Sequence, residues 1–238
     1  MIPINYKKYP FSSKIRHHVS ANNYLPITEL NLQPEGYPEP VTQISWNSVF
    51  DNAEPPSVLD IGCGKGVFLI TYALNNPDSN VLGIEIRTEA IDWINQVVDG
   101  EKIPNCRALH YTVANNLPFI EDSSIDRIFY LFPDPWPKRK HFRRRAFNAA
   151  FLEECFRVLK PDGNLFLATD VDYVHEYHQK VLKKFGKFNL REVHNPEEWN
   201  FPATNKENFC NLKNIPVYKL ICGKTLNNDI QAANLVNN

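Results

Sequence analysis

The chain has 238 residues, of which 43% are hydrophobic and 22% charged, a globular balance that excludes a wholly disordered polymer and fits one enlarged domain. The formal net charge is -1, yet six of the 26 Lys and Arg fall in one stretch, Lys138-Arg139-Lys140-His141-Phe142-Arg143-Arg144-Arg145, so a local anion site on an acidic body is expected rather than a polycation. No apolar run approaches the roughly 18 to 20 residues that cross a bilayer, the start MIPINYKKYP lacks a signal-peptide core, and five cysteines without a C-x-x-C pair argue against zinc or a disulfide framework and for a reducing cytoplasm.

Eight of the 18 prolines lie in the first 56 residues. Proline fixes φ and pushes its predecessor toward extended geometry, so residues 1–55 are expected to form an extended N-terminal arm with one short helix near 41–50. Residues 56–225 form the main domain, and the Asn-rich 226–238 a flexible tail. From Ser57 the pattern turns regular: a strand over 58–61, a helix over 67–75 and a second strand over 80–84. The next helix carries Ala90, Ile91, Ile94, Val97 and Val98 on one face. A weak strand follows at 106–110 and a strong one at 125–131. The pattern then predicts a long helix from about 142 to 159, stopped by Pro161-Asp162-Gly163, and a fifth strand over 164–169. After a helix around 174–185 come strands over 188–193 and 217–222, with no helix predicted between them and an antiparallel hairpin as the expected ending. Strands alternating with helices in this rhythm give an α/β fold, a parallel sheet covered on both faces.

Asp60-Ile61-Gly62-Cys63-Gly64-Lys65-Gly66 falls between a strand and a helix. Glycines there let backbone amides approach a ligand, and the helix start favours a negative group. The spacing G-x-G-x-G differs from the dinucleotide pattern G-x-G-x-x-G. Two acids add weight: Asp60 ends the first strand and Glu85 the second, where a carboxylate can accept both ribose hydroxyls of an adenosine. The segment 58–85 resembles the motifs of class I S-adenosylmethionine-dependent methyltransferases. That resemblance implies a Rossmann-like seven-stranded, mostly parallel sheet with a reversed last strand and helices on both faces. It also implies S-adenosylmethionine as cofactor, with Gly62, Gly64 and Gly66 near its methionine part and Glu85 on the ribose. An Asp is usual after the third strand, against the adenine amino group; Thr112 stands there, offering a weaker neutral hydrogen bond.

Leu131-Phe132-Pro133-Asp134-Pro135-Trp136-Pro137-Lys138 follows the fourth strand directly, at the end of a parallel sheet where ligands bind. Two prolines stiffen the loop around Asp134, Trp136 offers a face for a base, and the basic run supplies phosphate ligands. Carboxylate, aromatic plate and phosphate clamp together suit a nucleotide within RNA. The segment resembles the tRNA (guanine-N7)-methyltransferase family over about residues 57 to 222, through Phe132 to Trp136, Lys138, and His141 to Arg144. Thr169-Asp170 and the T-x-x-E of Thr204 and Glu207 match further family motifs, and Lys14-Ile15-Arg16-His17-His18-Val19 resembles a basic arm of some members. Asn205-Lys206 depart from the family's usual basic-plus-aromatic pair.

The resemblance implies transfer of a methyl group to guanosine N7 in tRNA, at position 46 of the variable loop. It implies Asp134 as the catalytic carboxylate, Lys138, Asp170, Thr204 and Glu207 on the substrate, and Arg139, Lys140, Arg143, Arg144 and Arg145 on the RNA backbone. No metal is expected, because His17, His18, His110, His175, His178 and His194 have no metal-ligand spacing. No obligate protein partner is evident. Tyr173 and Tyr177 read as packing; Trp199 and Phe201 suit either the base pocket or a lid on the core. Two other functions fit the pattern less well. An adenine or cytosine amino-methyltransferase carries [DN]-P-P-[FYW] after the same strand, and Asp134-Pro135-Trp136 lacks the second proline. A non-catalytic RNA-binding relative is suggested by Thr112.

Overall fold

Where apolar residues run without interruption, the chain builds strands buried on both faces. β1 (Val58–Ile61) is buried throughout and pairs in parallel with β2 (Val81–Glu85) and with β4 (Ile125–Leu131). In this computed structural model, which describes residues 4–5, 7–11 and 19–225, β3 (Cys106–His110) extends the sheet beyond β2 and β5 (Leu159–Thr169) beyond β4. β7 (Tyr218–Lys224) runs antiparallel beside β5, and β6 (Phe188–Glu192) closes that edge antiparallel to β7. The seven-stranded order is β3-β2-β1-β4-β5-β7-β6, mostly parallel with a reversed last strand. Residues 14–18 of the basic segment expected at 14–19, and the tail at 226–238, lie outside the described residues. Among those described, no helix is long and apolar enough to cross a membrane.

Alternation along the strands splits the core in two. Leu59, Leu82, Ile128 and Leu165 point to one face, where α3 (Ala149–Val158) and α4 (Asp172–Phe185) bring Phe151, Leu152 and Leu182. Val58, Val81, Phe129 and Phe166 point to the other, against α1 (Val67–Asn75) and α2 (Thr88–Glu101) with Leu69, Ile94 and Val97. Because β1 to β5 are parallel, their carboxyl ends open onto a single rim, where the loops after β1, β2, β3, β4 and β5 meet.

Four elements differ from the sequence expectation. The basic run does not open α3. Arg139–Arg144 forms a separate 3-10 turn, and α3 begins at Ala149, where Asn148 Oδ1 accepts from the Phe151 N–H at 3.0 Å. Pro161-Asp162-Gly163 does not end that helix either: Leu159 is already extended and pairs with Ile125, so the three residues lie inside β5. A helix, α5 (Asn205–Lys213), does separate the last two strands. Its start is capped by Thr204, whose Oγ1 accepts from the Glu207 N–H at 2.9 Å, while the Glu207 carboxylate pairs with Lys219. Finally, residues 19–55 are less extended than proline content implies. They carry 3-10 turns at Ala21–Tyr24, Ile27–Glu29 and Trp46–Ser48, and Leu25, Tyr37 and Phe50 are buried.

Candidate active site

The turn after β1 extends the strand ladder, with the Gly62 N–H donating to the Ile84 carbonyl at 2.8 Å. Gly62, Gly64 and Gly66 all have positive φ. Gly66 is the N-cap of α1 at φ +66°, and a Cβ there would stand 2.7 Å from Ile94 Cγ1, so the turn admits no side chain. The Gly64 N–H donates to Glu85 Oε2 at 3.0 Å, which ties the loop to the end of β2. Glu85 is buried and collects further donors: the N–H groups of Ile86 at 2.9 Å and Arg87 at 3.2 Å, and Arg87 Nε and Nη2 at 3.0 and 2.9 Å. Such a bidentate guanidinium contact is strong and directional. Asp60 is also buried, but its Oδ2 has no hydrogen-bond partner. Desolvation, and then the Glu85 charge, push its pKa up to about 8.

A cavity of about 430 Å³ opens beside this loop. Gly62, Glu85, Arg87 and Thr112 line one part of its wall, and Asp134 and Trp136 another, so β1, β2, β3 and β4 each deliver a residue to one space. Asp60, Gly64 and Gly66 do not line it. Thr112 is buried, and its Oγ1 accepts from the Ala114 N–H at 3.4 Å, capping the turn Val113–Asn115.

The loop bearing Asp134 is held from both sides. The Phe132 N–H donates to the Ala168 carbonyl of β5 at 2.7 Å. Arg145 Nη2 donates to the carbonyls of Pro135 and Trp136 at 3.2 and 3.0 Å, while its guanidinium lies 4.0 Å over the Phe142 ring and 4.5 Å over the Tyr177 ring. Phe132 and Trp136 both adopt positive φ, at 52° and 41°, a backbone strain that these anchors sustain. Around Trp136 stand the Arg144 guanidinium, 4.9 Å from the ring centre, and His141, edge-on at 5.6 Å. Desolvation and the neighbouring Arg144, Lys140 and Lys138 charges lower the His141 pKa below its ordinary value.

The structure thus brings Gly62, Glu85, Thr112 and Asp134 together, with Arg144 and Arg145 in the same wall. Lys138, Arg139, Lys140 and Arg143 are exposed outside it, at the rim. Asp170, Thr204 and Glu207 form a neighbouring cluster after β5: Asp170 pairs with Lys206 at 2.7 Å and Glu207 with Lys219 at 2.5 Å. None of these lines the cavity. Trp199 and Phe201 take the core position of the two expected, against Phe166 and Phe129. Sequence reasoning passes over Arg87 and Tyr24 in the wall and assigns Arg145 to the RNA backbone. Arg87 has a signal, a guanidinium two positions after the acid of β2. Arg145 reads as a phosphate ligand, although its position next to the apolar Ala146 and Phe147 points inward. Tyr24, from the arm, has no local signal.

A family model described as "Putative methyltransferase" matches residues 54–220. A tRNA (guanine-N(7)-)-methyltransferase of Lactobacillus gasseri is 35% identical over 149 residues, 63% of this chain and 69% of the relative. The chain belongs to the tRNA (guanine-N7)-methyltransferase family. Further members of the family from Lactobacillus johnsonii and Streptococcus pyogenes serotype M5 are 34% and 32% identical, over 63% and 62% of this chain and 68% and 69% of theirs. Among solved structures the chain is similar to the 16S rRNA methyltransferase KamB, with a TM-score of 0.54 at 17% identity over 71% of this chain and 87% of that one. That likeness concerns the fold. The family match begins at residue 54, so the arm that carries Tyr24 lies before it.

Proposed function

We infer that the chain transfers a methyl group from S-adenosylmethionine to N7 of a guanosine in tRNA. The observation that carries this reading is that one cavity is walled by the glycine turn, Glu85 and Thr112 on one part and by Asp134 and Trp136 on another. Cofactor and base sites that share a cavity can bring donor and acceptor into line.

The residues present fit the cofactor. The buried, unpartnered Oδ2 of Asp60 beside the glycine turn suits the ammonium of an amino acid, a charged donor that would favour ionisation of a carboxyl group otherwise held neutral by burial. Glu85 would hold the ribose hydroxyls, exchanging some of its contact with Arg87, and Thr112 would offer its hydroxyl to the adenine. Bound there, S-adenosylmethionine supplies a methyl group made electrophilic by its sulfonium.

Guanine N7 carries an available electron pair at neutral pH, so no residue of the chain has to remove a proton before attack. The protein contributes orientation and electrostatics. Asp134 would accept hydrogen bonds from the guanine edge and offset the positive charge that develops on the base. Lys138 and Asp170, with Thr204 and Glu207 behind it, would border the rest of the nucleotide. Exposed Arg139, Lys140 and Arg143 would contact phosphates, with Arg144 at the boundary between rim and cavity. N7 lies in the deep groove of A-form RNA, out of reach of side chains, so the target guanosine must stand in a loop or be extruded. The variable-loop position 46 is the site that the family resemblance implies.

The test is incubation with methyl-labelled S-adenosylmethionine and total tRNA, followed by nucleoside analysis. Label in 7-methylguanosine is expected; label in an amino-methylated adenosine or cytidine would overturn the reading. Titration with S-adenosylhomocysteine separates a catalyst from a non-catalytic RNA-binding relative, which would give no heat.

A further inference from the structure

We propose that Tyr24, from the N-terminal arm, is a positioning residue of the base site, acting through Asp134. The proposal rests on the reading that Asp134 faces the guanine.

Tyr24 reaches into the cavity wall, where its hydroxyl donates to Asp134 Oδ2 at 3.3 Å. Its ring stands edge-on to Trp136, with centroids 5.2 Å apart and planes at 75°. One side chain therefore touches both the acid and the aromatic plate of the F-P-D-P-W loop. Desolvation, then the Asp134 charge, raise the phenol pKa, so the hydroxyl keeps its proton and remains a donor at any working pH.

The backbone that presents this phenol is fixed on both sides. Asn23 and Leu25 are buried, and Asn23 Nδ2 donates to the Gly36 carbonyl at 3.2 Å. The Tyr37 hydroxyl lies 2.9 Å from the Leu25 carbonyl and 3.0 Å from Asn115 Oδ1, which also accepts from the Ile27 N–H at 2.8 Å. Asn115 belongs to the turn capped by Thr112, on the cofactor side of the cavity. The arm is thus clipped to the loop after β3 and delivers its phenol to the loop after β4. A hydroxyl held this firmly restricts rotation of the Asp134 carboxylate, and orientation of that group is what the chemistry needs.

The experiment is a double-mutant cycle in the full chain, read as kcat and KM for tRNA methylation. Tyr24→Phe keeps the ring against Trp136 and removes only the hydroxyl. Loss of a hydrogen bond to a charged group lowers kcat by about tenfold, with KM for tRNA changed less than about twofold and the melting temperature unmoved. In the Asp134→Ala background, which leaves no acceptor for the hydroxyl to orient, the same substitution adds less than about a twofold loss. Losses that multiply in the double variant, or a Tyr24→Phe enzyme with full kcat while Asp134→Ala is impaired, overturn the proposal and leave the methyltransferase reading standing. If Asp134→Ala itself keeps full turnover, the role of Asp134 fails, and the role of Tyr24 fails with it.

Discussion

Arg145 donates through Nη2 to the carbonyl oxygen of Trp136 at 3.0 Å, so the last residue of the basic run is bonded to the loop that carries Asp134. Its neighbours Arg139 and Arg143 are exposed at the rim instead. Side chains adjacent in sequence therefore divide between building the site and facing solvent, and the consequence of that division is measurable. Arg145→Ala should lower stability by about 1 to 3 kcal/mol in urea melts and reduce turnover, while the dependence of tRNA affinity on salt keeps its slope. Neutralising Arg139 and Arg143 together should leave the melt unchanged and reduce the slope of log K against log salt by about 0.7 to 0.9 for each phosphate no longer neutralised. An unchanged slope would place those two arginines outside the interface.

Asp134 is expected to work by charge as well as by alignment. At saturating tRNA and cofactor, Asp134→Ala should lose most turnover, and Asp134→Asn should retain part, because the amide preserves an acceptor oxygen but not the charge. Near wild-type turnover in the alanine variant would refute this role.

Asp60 is expected to link cofactor binding to protons. Its folded pKa of about 8 lies above the 3.8 of a free carboxyl. Between those values the folded chain holds a proton that the unfolded chain has lost. The stability that Asp60 contributes to the ligand-free protein therefore falls as pH rises from about 4 toward 8, the reverse of an acid in a salt bridge, while buried His178, whose pKa desolvation lowers to about 3, acts with the opposite sign below about 6.5. An ammonium beside Oδ2 favours the charged form, so binding of S-adenosylhomocysteine at pH 7 should release about one proton and tighten as pH approaches 8. Calorimetry in buffers of different ionisation enthalpy reads the proton directly. Asp60→Asn should abolish the release, and a release that persists in that variant would assign it to another group.

At Thr112 the departure from the usual acid can be reversed. Asp serves equally well as the cap of the turn Val113–Asn115 and offers the adenine amino group a charge-assisted acceptor. Thr112→Asp should tighten S-adenosylhomocysteine by several fold, up to about tenfold, and Thr112→Val should weaken it. Equal affinity in all three proteins would mean that the adenine lies elsewhere.

The helix α5 shows how much was legible and where reading stopped. Thr204 and Glu207 have the spacing of a capping box, which is a helix signal in its own right, yet the residues that follow give little apolar periodicity: Cys210 is buried, while Phe209 and Leu212 are exposed. Periodicity reports burial, and a helix that buries little leaves a faint trace. The basic run errs in the opposite direction. Its residues sustain a helical pattern into Phe147 and Phe151, but Asn148 caps the helix from within that pattern, and the bonds from Arg145 to the Asp134 loop hold the preceding turn apart.

The sequence by itself determined the α/β character of the chain and the carboxyl ends of its first four strands. Apolar runs of strand length alternating with amphipathic helices leave few topologies, and Asp60, Glu85, Thr112 and Asp134 are each written next to a strand end, so local order fixes which rim they occupy. Only the tertiary structure decided which side chains meet across that rim. Tyr24 stands 110 residues from its acceptor Asp134, and Ile27 stands 88 from Asn115. Contacts at such separations depend on how the arm packs over the finished sheet, and no periodicity or motif within a short window encodes that.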